Sequence, residues 1–195
     1  MRNFEIFRPP SPSDFKPYIR DSKTLSRPWA SPPLKGYEHR IGGLEKSNIE
    51  GNVSYDPDNH QLMTEIRKEK ISRVSKEIPE TIVYGDKNAN ALIVGWGSTY
   101  GAIRSGVSKA ISNGIKVACV NLKYLNPLPD DLKDILKRYK KIIVVEENTG
   151  QFAYVLRANY LINVVSKTKV TGQPYTTEEI LKIIKSECEN FQEEK

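Results

Sequence analysis

The sequence predicts an α/β fold: a small doubly wound, mainly parallel sheet with flanking helices, preceded by an extended Pro-rich arm and one charged helix. Three observations carry this expectation. Short apolar runs alternate with amphipathic stretches from residue 82 onward. Seven of the twelve prolines fall within residues 1–33. Between these regions lies a highly charged segment with apolar residues at roughly helical spacing.

Proline fixes φ and removes a backbone donor, so RPPSPSDFKP and RPWASPP can build neither a helix nor a central strand. Residues 1–56 are therefore read as an extended arm with irregular loops. Phe4, Phe7, Phe15, Tyr18, Trp29 and Tyr37 are too many aromatics for a solvated linker, so the arm is expected to pack against something. Asp56-Pro57-Asp58 starts a helix, with an acidic N-cap and proline at the first helical position. Leu62, Met63, Ile66, Ile71 and Val74 give it one inward stripe, and it should end before Pro79. This helix and its linker take residues 57–81, the α/β domain 82–187, and a charged tail 188–195.

Within the α/β domain, ALIVGW (91–96) reads as a buried strand with a glycine exit. Ser98 or Thr99 caps a helix that buries Ile103, Val107, Ala110 and Ile111, and Asn113-Gly114 ends it. IKVACVNL (115–122) and KKIIVVEEN (140–148) are further strands, separated by a turn and a helix from about Asp130. A helix over 150–161, a fourth strand at INVVS and a last helix capped by Thr176 or Thr177 complete the domain. Strands joined through helices pair in parallel.

The chain has 195 residues and a net charge of +6. Lysine and arginine alternate with acids, as in RKEKISRVSKE, and no basic block carries interleaved aromatics, so nucleic acid is not an expected partner. No apolar run reaches the roughly 18 residues that span a bilayer, so neither is a membrane. Cys119 and Cys188 suggest neither a disulfide nor a metal site, and His39 and His60 lack matched ligand spacing. The cytoplasm is the expected compartment.

Three strand-end motifs could carry chemistry. Gly95-Trp96-Gly97-Ser98-Thr99-Tyr100-Gly101 approaches the dinucleotide fingerprint, but Asn121-Leu122-Lys123 stands where that fingerprint needs an acid for the ribose. Glycines 97 and 101 can equally serve a tight turn and close helix–sheet packing. Asn126-Pro127-Leu128-Pro129 is either a stiff loop over the sheet end or a docking surface. Glu146-Glu147-Asn148-Thr149-Gly150-Gln151 offers paired acids, with acid–base chemistry set against hydrogen bonding to another domain. The residues alone describe an α/β domain with an aromatic arm, built to bind a partner.

KPYIRDSKTLSRPWASPP, EHRIGGLEKSNIEGNVSYDPDNHQLMTEIRKEKISRV, VGWGSTYGA, YLNPLPDDL and EENTGQFAYVLR, in this order, resemble the C-terminal part of 2-oxoacid:ferredoxin oxidoreductase alpha subunits, of the 2-oxoglutarate-type branch. The resemblance runs from about Lys16 to Lys185. It implies a transketolase C-terminal-like domain that builds subunit interfaces in an enzyme converting a 2-oxoacid and coenzyme A to acyl-CoA while reducing ferredoxin. Such a complex uses thiamine diphosphate, magnesium and an iron–sulfur cluster. These are expected on the beta subunit and on a thiamine-binding alpha-subunit domain, the partners implied, and not on this chain. That domain has no counterpart before Met1, so catalysis by the chain alone is not expected. Many relatives carry His-Asp-Glu after GLE, where this chain has Lys46-Ser47-Asn48. No catalytic, cofactor or metal residue is therefore carried over. Glu45, Lys46, Gly97, Ser98, Asn148, Gly150 and Gln151 are taken as interface or substrate-proximal. The alternatives are an assembly domain of another thiamine enzyme, or a nucleotide-binding module built on the Gly-rich turn.

Overall fold

The computed structural model describes residues 6–188; Phe4 and the tail beyond Cys188 lie outside them. The chain divides into two compact units between Glu77 and Ile78.

In the first unit, residues 6–56 form turns and two isolated bridges, Tyr18 with Ile49 and Lys46 with Val53. Aromatic contacts replace regular structure. Phe15 meets Tyr37 edge-on at 5.1 Å, and the Arg27 guanidinium lies 4.2 Å from the centre of the Tyr18 ring. Trp29, expected to be packed, is 67% exposed. Helix α1 spans Pro57–Arg73; Asp56 caps it by accepting the Asp58 N–H, and it tightens into a 3-10 turn over Val74–Glu77. The expected inward stripe is mostly absent: Met63 is buried, but Leu62, Ile71 and Val74 are exposed. The Arg20 guanidinium of the arm lies 3.5 Å from the Met63 sulfur, and Arg73 donates to the Ser22 and Lys23 carbonyls at 2.8 and 2.9 Å.

The second unit contains strands β1 (Val83–Gly85), β2 (Ala91–Trp96), β3 (Val117–Leu122), β4 (Lys141–Glu146) and β5 (Val165–Thr168). Its helices are α2 (Tyr100–Ser112), α3 (Leu132–Leu136), α4 (Gln151–Tyr160) and α5 (Thr177–Cys188). The sheet order is β1-β3-β2-β4-β5. Strands β2 to β5 run parallel, as expected, although β5 lies later than the expected INVVS and shares only Val165 and Ser166 with it; β1 is an unforeseen antiparallel edge strand on β3. Three residues are too few to show a period.

Alternation along the strands builds two apolar layers. Leu92, Val94, Val120 and Val144 face α3 and α4, meeting Leu132, Leu136, Phe152 and Leu156. Ile93, Cys119, Ile143 and Val145 face α2 and α5, meeting Ile103, Val107, Ile180 and Ile184. Ile111, expected inward, is exposed. Close helix packing rests on Gly106 and not on Gly101. A Cβ on Gly106 would lie 2.6 Å from the Ile180 side chain, whereas one on Gly101 would meet nothing within 4 Å.

Helix α5 begins with a reciprocal cap. The Thr176 hydroxyl accepts the Glu179 N–H at 3.2 Å, and the Glu179 carboxyl accepts the Thr176 N–H at 2.8 Å. Lys169 binds the same carboxyl at 2.7 and 2.9 Å. The Lys169 ammonium first, then the Thr176 donors, hold Glu179 down to about 2 from an ordinary 4.5.

Two predictions follow from this packing. Gly106→Ala should destabilise the chain by about 1–3 kcal/mol, because α2 and α5 must separate; thermal unfolding would show it. Glu179 is depressed on folding, so its stabilisation is present above pH 4.5 and is lost as pH falls through about 2. Hydrogen exchange at the start of α5 should accelerate across that window, and Glu179→Gln should remove the acid-dependent part.

Candidate functional site at the strand ends

Strand β2 exits towards β3 through α2, and β4 exits towards β5 through α4. Their carboxyl ends therefore flank the topological switch point, the usual ligand crevice of an open α/β sheet. Gly97 and Ser98 follow β2, and Asn148, Gly150 and Gln151 follow β4, so the topology brings these five residues to one edge. Glu45 and Lys46 belong to the first unit.

Glu146 closes the crevice from within. It is 0% exposed and accepts the Phe152 N–H at 2.8 Å, the Ala153 N–H at 3.0 Å, the Asn148 side-chain amide at 3.0 Å and the Trp96 indole N–H at 3.4 Å. Two of these donors are first-turn amides of α4, which have no partner within their own helix. Asn148 Oδ1 in turn accepts the Gly150 N–H at 2.7 Å. Gly150 has φ +97°, which only glycine adopts cheaply, and it turns the chain into α4. Gln151, the first residue of α4, is exposed.

Glu147 ties the neighbouring turns. It accepts the Ser98 hydroxyl at 2.9 Å and the Tyr175 N–H at 3.0 Å. Glu146 is therefore not available as expected, for acid–base work or for another domain, and half-buried Glu147 is committed to these two turns. The Gly-rich turn also departs from expectation. Gly97–Thr99 is a 3-10 turn and α2 begins at Tyr100; Thr99 holds its N-cap position, as one of the two expected, but makes no side-chain cap hydrogen bond to it. The Thr99 hydroxyl instead donates to the Trp96 carbonyl at 2.9 Å. A Glu147 oxygen beside Ser98 puts an acid where a phosphate would have to sit, which opposes anion binding at this helix start. In the Asn126–Pro129 loop, Leu128 is half-buried against the core, whereas Asn126 is exposed.

In the first unit, the Glu45 carboxyl meets His60 Nδ1 at 2.7 Å and the Arg67 guanidinium at 3.2 and 3.4 Å. Arg67 first, then His60, hold it below the usual carboxylate range. Lys46 is 2% exposed, and its ammonium donates to the carbonyls of Gly42, at 2.6 Å, and Leu44. Its carbonyl accepts the Asn59 amide at 3.0 Å. Both side chains thus organise the GGLE loop.

The second unit also holds a cavity of about 480 Å³ between β1, β3 and the first half of α2. Tyr84, Tyr100, Arg104, Cys119, Asn121 and Tyr124 stand on its wall. The Arg104 guanidinium covers the Tyr84 ring. Hydrogen bonds from Ser108 and then Arg104 lower the Tyr84 phenol, while burial pushes the Cys119 thiol up to about 11. The sequence reading missed this wall, because Tyr84 sits on the unforeseen strand and Arg104 looks like any surface arginine on a helix.

Among the described residues, no three His, Cys, Asp or Glu side chains form a group that could hold a metal ion. No helix among them is long and apolar enough to cross a membrane.

Residues 89–180 match the family described as pyruvate:ferredoxin oxidoreductase core domain II. The 2-oxoglutarate oxidoreductase subunit KorA of Mycobacterium tuberculosis is 45% identical over 175 residues, covering 88% of this chain and 26% of that protein. The 2-oxoacid:ferredoxin oxidoreductase 1 subunit alpha of Aeropyrum pernix is 30% identical over 154 residues, covering 75% of this chain and 23% of its own length. A 2-oxoglutarate:ferredoxin oxidoreductase from Magnetococcus marinus, solved with 2-oxoglutarate, coenzyme A and succinyl-CoA bound, superimposes with a TM-score of 0.81 at 30% identity, covering 93% of this chain and 32% of that one. The chain thus spans about a quarter to a third of these relatives.

The two ends of the β4 turn should respond differently to substitution. Glu146→Gln should cost about 1–3 kcal/mol, because one amide group must turn an N–H towards the α4 donors. Gln151→Ala should stay within about 0.5 kcal/mol of the unaltered chain. Denaturant unfolding of both variants checks this.

Proposed function

The chain belongs with the alpha subunits of 2-oxoacid:ferredoxin oxidoreductases, and from that premise we propose that it supplies the subunit-interface domain of such an enzyme. The enzyme would oxidatively decarboxylate a 2-oxoacid, 2-oxoglutarate by preference, to its acyl-CoA and pass the electrons to ferredoxin. The observation that carries this is the 45% identity over 175 residues with a 2-oxoglutarate oxidoreductase subunit. The partners in this proposal are a thiamine-binding alpha-subunit domain and a beta subunit. Thiamine diphosphate, magnesium and the iron–sulfur cluster are assigned to them. The compartment is the cytoplasm, in keeping with the free thiols of Cys119 and Cys188.

What this chain's own residues contribute is surface and rigidity. Leu161, after α4, is 91% exposed and has φ +54°. An exposed leucine in a left-handed conformation gains little for a free chain, where glycine or asparagine would sit more cheaply. Tyr154, within α4, is also exposed. We assign α4 as a docking element, with Gln151 at its start and with Gly97, Ser98, Asn148 and Gly150 shaping the turns behind it. The loop built on Glu45 and Lys46 is assigned as the substrate-proximal element of the first unit.

Native mass spectrometry of the tagged chain recovered from its own cells should show it with a thiamine-binding chain and a cluster-bearing chain. Tyr154→Ser with Leu161→Asn should keep or raise the melting temperature yet weaken that assembly at least tenfold. Recovery of the chain alone, or unchanged assembly of the double variant, would count against the proposal.

A further inference from the structure

The cavity beside β3 has features that core packing does not explain. Its volume lies within the range of small-molecule sites, about 300–1,000 Å³. Asn121 Oδ1 is buried without a hydrogen-bond partner, a costly state for a side-chain amide. A purely structural residue at the end of β3 would not need that amide. Arg104 and Lys123 both stand on the wall, and neither forms an ion pair among the described residues. The acid on this wall, Glu80, is exposed and makes no ion pair either. Tyr84, Tyr100 and Tyr124 supply aromatic surface, two of them partly open to solvent.

Each component has a known complement. Tyrosine rings stack on planar heterocycles. An asparagine amide, turned about its last torsion, offers an acceptor and a donor side by side, which matches the amino group and adjacent ring nitrogen of adenine. A guanidinium that rests on a tyrosine and has no acid partner, with an ammonium on the same wall, suits a phosphate. At the Gly-rich turn the charge is opposite, because Glu147 lies beside Ser98.

We propose that the cavity bounded by Tyr84, Tyr100, Arg104, Asn121, Lys123 and Tyr124 binds an adenine nucleoside monophosphate, either free or as the end of a larger molecule. The base enters towards Asn121 and the tyrosines, and the phosphate meets Arg104 and Lys123. This is independent of the assembly role proposed above, since none of these six residues is among those assigned to docking.

The test is a calorimetric titration of the full chain with AMP, adenosine, inorganic phosphate and coenzyme A. AMP should saturate at or below about 1 mM, with adenosine and phosphate each at least tenfold weaker. Coenzyme A binding more tightly than AMP would identify the larger molecule as the source; AMP binding at least as tightly would identify the free nucleotide. Arg104→Met and Asn121→Leu should each weaken AMP at least tenfold. Asn121→Leu should leave the melting temperature unchanged or raised, because it removes a buried carbonyl oxygen that has no partner, so it decides the matter even if Arg104→Met fails to fold. Absence of saturation by AMP, or AMP affinity unchanged in folded Asn121→Leu, would overturn the proposal.

Discussion

Glu146 is the group on which the strand-end architecture depends. A carboxyl group taken fully out of water is costly unless donors surround it. Four N–H groups do so here, from the start of α4, from the Asn148 side chain and from the Trp96 indole. The exit of β2, the exit of β4 and the direction of α4 are thereby coupled through one side chain. Asn148 and Gly150 complete the turn, and Glu147 extends the ties to Ser98 and Tyr175.

This coupling has a functional consequence. The switch-point crevice, where an open α/β sheet normally receives a ligand, is filled by the protein's own hydrogen bonds. The edge then acts as a rigid base for α4, within and just after which Tyr154 and Leu161 are exposed. An interface element benefits from such rigidity, because less conformational freedom is lost when a partner docks. The unfilled volume lies one strand away, beside β3, where Arg104 lies against Tyr84 with no ion-pair partner among the described residues and Asn121 Oδ1 has no hydrogen-bond partner.

The two units are held by different physics. The second buries two apolar layers against a central sheet, and its packing is tight enough that Gly106 cannot acquire a side chain without displacing Ile180. The first buries little beyond Met63 and Lys46 and relies on aromatic edges, cation–aromatic contacts and a lysine folded onto its own loop carbonyls. Such a unit leaves Trp29 and one side of α1 open.

By itself the sequence determined the parallel strands β2 to β5 and the helices between them, because apolar runs bounded by caps and glycines act locally. It determined the start of α1, since Asp56 and Pro57 are adjacent in the chain. The order of motifs also carried the family resemblance. Only the tertiary structure decided what the polar strand-end residues do. Glu146 and Glu147 read as available acids until Phe152, Trp96, Ser98 and Tyr175 are brought to them from other turns. Likewise, Lys46 is buried by the path of its own loop, and β1 exists because β3 offers it an edge. In each case the deciding partner is remote in sequence or reached only through the folded path of the chain, where neither composition nor period records it.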